Sequence, residues 1–149
     1  MMEFVFAEKP MVRICGKDYE FDPSNNDLLT GVVEHFPQIV AAANDLQALS
    51  RRKGALSDPE LCLQILEKNR QLTKSCRDFI QGCLGVEEYN EIFHKRRPNS
   101  AEHVSLCTFL YNAMMEGREG LLDAYLEDDD DAAEETAAEA ERGPDSDRL

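Results

Sequence analysis

The chain lacks most of what a catalyst or a nucleic-acid binder needs. No nucleophile has a base at a recognisable spacing, and no glycine loop is built to cradle a phosphate. Positive charge is scarce: 16 Lys and Arg face 30 Asp and Glu, a formal net charge of -14. Phosphate binding draws on a surplus of Lys and Arg, so nucleic acid is not expected as the main partner. No apolar run approaches the ~18 residues of a membrane span. The opening Met-Met-Glu-Phe-Val-Phe-Ala-Glu-Lys puts an acid where a secretory signal carries positive charge. A cytoplasmic protein without membrane segments is the expectation.

Metal-site spacing is also missing. The five cysteines, Cys15, Cys62, Cys76, Cys83 and Cys107, contain no Cys-x2-Cys pair. His103 and Cys107 lie one helical turn apart, Cys76 and Cys83 two turns apart, with His94 following. Zinc needs a tetrahedral set that such wide spacing does not enforce. The favoured reading is reduced thiols packed as small hydrophobes, with the histidines at surface or cap positions. Neither a metal nor another cofactor is expected. Cys107 with His103 is also the sole hint of a cysteine nucleophile, and core packing explains it as well.

What is present is a pattern of strands followed by helices. Glu3–Ala7 is short and β-prone. Met11–Cys15 alternates, Gly16-Lys-Asp18 reads as a turn, and Tyr19-Glu-Phe21 alternates again, which signals a β-hairpin. Ser24 or Asn25 then caps a helix from Leu28 to Lys53, with Leu28, Val32, His35 or Phe36, Ile39, Ala43, Leu46 and Leu49 on one stripe. Pro37 is expected to break or kink it, and Gly54 to end it. Ser57-Asp-Pro-Glu60 reads as a capping box with Ser57 as the cap. Leu61, Ile65, Leu72, Cys76, Phe79 and Cys83 form the next stripe, stopped at Gly85. A short helix, Val86 to His94, turns Val86, Tyr89, Ile92 and Phe93 inward. Asn99 or Ser100 starts the last helix, with Val104, Cys107, Tyr111, Met114, Leu121, Leu122 and Tyr125 available for burial. The fold class is mainly α with a small N-terminal β-hairpin (α+β).

Charge divides the chain in two. Residues 127–149 hold 11 acids and two bases, net -9, and leave the first 126 residues at -5. With almost no large apolar side chains, the tail is expected to be disordered and solubilising, beside a folded domain over 1–126. It lacks the Asp-x-Asp-x-Asp-Gly spacing of a calcium loop. Two basic triplets, Arg51-Arg-Lys53 and Lys95-Arg-Arg97, are read first as solvated helix-end charge. Clustered, they would suit phosphate or an acidic partner.

Val12-Arg-Ile-Cys-Gly-Lys-Asp-Tyr-Glu-Phe21 resembles the opening I-x-I-N-G-K-x-Y-x-F strand pair of small tail assembly chaperones of long-tailed (siphovirus-like) bacteriophages and prophages. Phe79-Ile-Gln-Gly-Cys-Leu-Gly85 with Tyr89-Asn-Glu-Ile-Phe93 is similar to their F-I-D-x-I-L-G-x-G-x-x-x-x-I-F segment. The likeness covers about Met11 to Tyr125. Cys15 departs from it, standing where Asn is usual, and the acidic tail is no part of it. The resemblance implies a non-enzymatic protein of the infected bacterial cytoplasm. It would bind the helical tape measure protein, keep it soluble and help recruit tail tube subunits during tail morphogenesis. Met114 and Met115 suit an adaptable binding surface, or fill the core. With Arg96 and Arg97 they make up the candidate partner-binding set. The alternative is a regulatory or inhibitory protein whose acidic tail mimics nucleic acid on a basic partner.

Overall fold

A computed structural model of the chain describes residues 1–6, 8–97 and 99–128, those from 120 to 128 by backbone alone. The acidic stretch from 129 onward lies outside the described residues; of the tail expected to be disordered over 127–149, only residues 127 and 128 are described, and they continue the last helix. The elements run β1 (Met11–Ile14), β2 (Lys17–Glu20), α1 (Asn26–Ser50), α2 (Pro59–Leu84), α3 (Val86–Ile92) and α4 (Ser100–Asp128). The chain is mainly helical with one antiparallel hairpin, as its patterning implies. It divides into two units, Met1–Met114 and the remainder from Met115. Of the second unit the structure describes the continuation of α4. That helix passes Leu126, the expected end of the folded domain, and runs to Asp128.

The hairpin turn sits one residue earlier than its sequence suggests. Cys15 and Gly16 form a two-residue loop with φ of 54° and 85°. Two successive left-handed residues match the right-handed twist of paired strands, so this loop closes a tight hairpin. Lys17 and Asp18 therefore belong to β2, and Asp18 pairs with Arg13 across the ladder at 3.0 Å. Val12 opposes Tyr19, and Ile14 opposes Lys17. Ile14, Tyr19 and Phe21 share the buried face. Glu3–Phe6 forms no strand, and Phe4 and Phe6 are exposed, meeting edge to face at 4.9 Å. Strand-prone residues need a ladder to join, and among the described residues no strand pairs with this segment.

α1 begins under Asn25, whose side chain accepts the amide of Leu28 at 3.1 Å. It ends at Ser50, three residues before the expected stop, with Arg51 as C-cap. Pro37 does not break it. The proline removes one hydrogen bond, to the Val33 carbonyl, and is exposed. Val32, Ile39 and Leu46, all buried, hold both halves against the core. Phe36, not His35, faces inward: its ring stacks on Tyr111 at 4.3 Å and lies 6.1 Å from Phe79.

α2 is capped by Asp58 rather than Ser57. The Asp58 carboxylate accepts the amides of Glu60 and Leu61 at 3.0 and 3.4 Å, while the Ser57 hydroxyl turns to the Gly54 carbonyl. An ionised cap also gains from the helix dipole, which favours Asp over the neighbouring Ser. Leu61, Leu72, Cys76, Phe79 and Ile80 are buried, and Ile65 and Cys83 half-buried. Gly85, with φ 116°, then turns the chain into α3. Val86 is 57% exposed, against its expected burial, because it starts α3 at the rim. Asn99 caps α4 by accepting the Glu102 amide at 3.1 Å. His103, Cys107, Leu110 and Met114 make its buried stripe.

Candidate binding surface

The hairpin, α3 and the start of α4 enclose a mostly apolar groove of about 440 Å³, lined by Ile14, Cys15, Ile92, Phe93 and Leu106. Lys17 of β2 forms an ion pair with Glu91 of α3, which ties the hairpin to the short helix. That contact raises the Lys17 pKa and lowers that of Glu91. Arg96 crosses the groove's rim and meets the Glu102 carboxylate through Nε at 3.3 Å. The pair holds Glu102 below the usual carboxylate range. Arg96 is thus engaged within its own chain, while Arg97 lines a smaller cavity with Tyr89 and Phe93.

Below the groove lies a polar joint. His103 is 1% exposed, not at a surface or cap position. Its Nδ1 lies 2.7 Å from the Asn99 carbonyl and its Nε2 2.7 Å from the Tyr89 hydroxyl. A carbonyl only accepts, so Nδ1 carries the proton and donates, and in the neutral ring Nε2 accepts from Tyr89. Phe93 stacks on the ring at 4.1 Å. Burial raises the Tyr89 pKa. The stripe 103, 107, 110, 114 carried the signal for this burial, but the polarity of histidine argued the other way.

The joint also answers the question of a Cys–His pair. Both nitrogens of His103 are engaged, and neither is left for the Cys107 thiol. Cys107 donates instead to the Cys76 carbonyl at 3.7 Å. Its pKa is raised by its contact with Cys76 and by burial, the opposite of nucleophile activation. Burial pushes Cys83 up to about 12. All five cysteines are free, and among the described residues no group of three or more His, Cys, Asp or Glu could hold a metal.

The four candidate contact residues, Met114, Met115, Arg96 and Arg97, differ in their exposure. Met114 is fully buried in the core and is not presented to a partner, because it continues the stripe of His103, Cys107 and Leu110. Met115 is half-buried. Arg96 and Arg97 are exposed beside the groove. Among the described residues no helix is long and apolar enough to cross a membrane. No family model matches the chain, and neither does any curated protein or solved structure.

Proposed function

We propose that this protein is a non-enzymatic tail assembly chaperone that binds the helical tape measure protein of a phage or prophage and keeps it soluble. One observation supports the reading above the others: the two family-like segments adjoin. Ile14 and Cys15 of the hairpin motif line the same groove as Ile92 and Phe93 of the second motif, and Lys17 pairs with Glu91. Residues alike in two distant stretches are thus neighbours in one structural unit, which supports reading them together. The role needs only binding. An amphipathic rod aggregates through its apolar stripe, and a small helical domain that covers the stripe prevents it.

The test is co-expression with the tape measure protein of the same phage or prophage. The rod is expected in the soluble fraction, eluting together with this chain. A rod equally insoluble with and without the chain, and no shared elution, overturns the reading. Salt separates it from acidic-tail mimicry. Apolar docking weakens slightly at moderate salt, whereas mimicry of a phosphate backbone loses affinity steeply.

A further inference from the structure

A second concave surface lies away from the groove, between α1 and α2. It is a cleft of about 430 Å³ whose floor is Leu28, Val32 and Phe79. Val32 and Phe79 belong to the core, so the floor is rigid as well as apolar. The cleft shares His35, Asp78 and Phe79 with a further cavity of about 240 Å³ that reaches Ile39. Together they follow α1 from Asn25 to Ile39, roughly 20 Å at the helical rise. That is the length of three to four helical turns, far more than one side chain needs.

Two glycines line it. Gly31 on α1 and Gly82 on α2 both line the cleft, and a Cβ built on either meets nothing within 4 Å. Neither needs a positive φ, so the backbone does not demand glycine. Alanine at both places would favour the helices. The packing of this chain alone therefore gives no reason for the space. Two carboxylates stand on its walls, beside Asn25 and His35. Asp27 and Asp78 stand on opposite helices, and Asp78 meets Lys74 at 3.2 Å on its own helix. α1 holds Asp27, Glu34 and Asp45 and no Lys or Arg.

The geometry points to the α1–α2 cleft as the docking site for one helix of a partner protein, with an apolar stripe pressed between Gly31 and Gly82 and Lys or Arg on its flanks facing Asp27 and Asp78. Length selects a helix, the floor selects an apolar stripe, and the carboxylates select basic flanks. The inference rests on the chaperone reading only for which protein carries that helix.

Two synthetic helical peptides of about four turns test it on the full chain. Both carry Leu and Phe at i, i+3, i+4 and i+7. One has Lys on its flanks and the other Glu. The Lys peptide is expected to bind at least tenfold more tightly, and to shift the amide resonances of Gly31 and Gly82 most. Gly31→Leu and Gly82→Leu are expected to lower its affinity at least tenfold. Gly31→Ala should keep the fold at least as heat-stable as the parent, so a folding defect cannot imitate lost binding; it should still weaken the peptide measurably. Equal binding of the two peptides, shifts centred elsewhere, or full affinity in folded leucine variants overturns the proposal. The two readings fail separately. A rod kept soluble equally by the parent and both leucine variants removes the cleft and leaves the chaperone. A Lys peptide held in the cleft by a chain that does not solubilise the rod does the reverse.

Discussion

The two ends of the core differ in how they treat polar groups and space. Around His103 the chain satisfies its polar groups. The imidazole is stacked on Phe93 and bonded at both nitrogens, on the helix stripe that also buries Cys107 and Leu110. Between the start of α1 and the end of α2 the chain differs. It places glycine on both walls, leaves the Cβ positions empty and sets carboxylates at the rim. The first arrangement secures a single packing of α3 and α4 on α2. The second gives up helix stability for an open surface. Comparing them separates residues selected by folding from residues that folding does not explain.

Phe79 stands between the two regions, and its loss should have the largest effect. Its side chain is 6% exposed, touches Phe36 and floors the cleft. Phe79→Ala is expected to cost roughly 3–5 kcal/mol, as for other buried aromatics. Urea unfolding measures it. A change within about ±0.5 kcal/mol, typical of surface sites, would show that the core does not run through Phe79.

Next comes the polar joint. Tyr89→Phe removes the hydroxyl that His103 Nε2 accepts from and leaves a buried acceptor unpaired, at a cost of about 1–3 kcal/mol. Pairing it with His103→Phe should recover part of that loss, because neither partner is then orphaned. Strict additivity in this double-mutant cycle would mean the hydrogen bond does not couple the two side chains.

Glycine substitutions sharpen the contrast most directly. Gly85 has φ 116°, and a Cβ there would collide with the Glu88 carboxylate. Gly85→Ala is expected to destabilise by about 1–3 kcal/mol. Gly31→Ala meets open space and should stabilise by about 0.5–1 kcal/mol. Thermal unfolding of the two variants should move in opposite directions. Shifts of the same sign would remove the distinction between a glycine the backbone requires and one it does not.

The smallest effect concerns the exposed ion pairs. Lys17 and Arg96 lower the pKa values of Glu91 and Glu102 from the ordinary 4.5. A carboxylate lowered in the folded state contributes stability above its unfolded value and loses it as pH falls through the folded one. Any advantage of the parent over Glu102→Gln should therefore be present at neutral pH and vanish as the pH drops below 4.5. High salt should shrink it as well, since both pairs are exposed. An advantage that grows on acidification would reverse the sign of the argument.

Much of this architecture was legible along the chain. The 3.6-residue stripes of α1 and α2 placed Val32, Ile39, Leu46, Leu61, Leu72, Cys76 and Phe79 in the core, because periodic burial is written directly in residue order. Alternation around Gly16 gave the hairpin and its buried Tyr19 and Phe21. Local signals that compete within one or two positions were less decisive. Asp58 displaced Ser57 as the cap, Cys15 joined Gly16 in the turn, and Pro37 stayed inside a helix whose flanks were both anchored. Each outcome turned on small local differences that the surrounding packing settled.

The sequence by itself determined the element order, the helical core and the strong acidity of residues 127–149. Only the tertiary structure decided which surfaces are concave. Met114 looked equally suited to a surface or a core and was drawn into the core. His103 was buried because Tyr89 and the Asn99 carbonyl satisfy it there. Gly31 and Gly82 lie some fifty residues apart, and nothing local relates them. A cleft exists only where two helices face each other, and its shape depends on the distance between side chains that residue order does not encode.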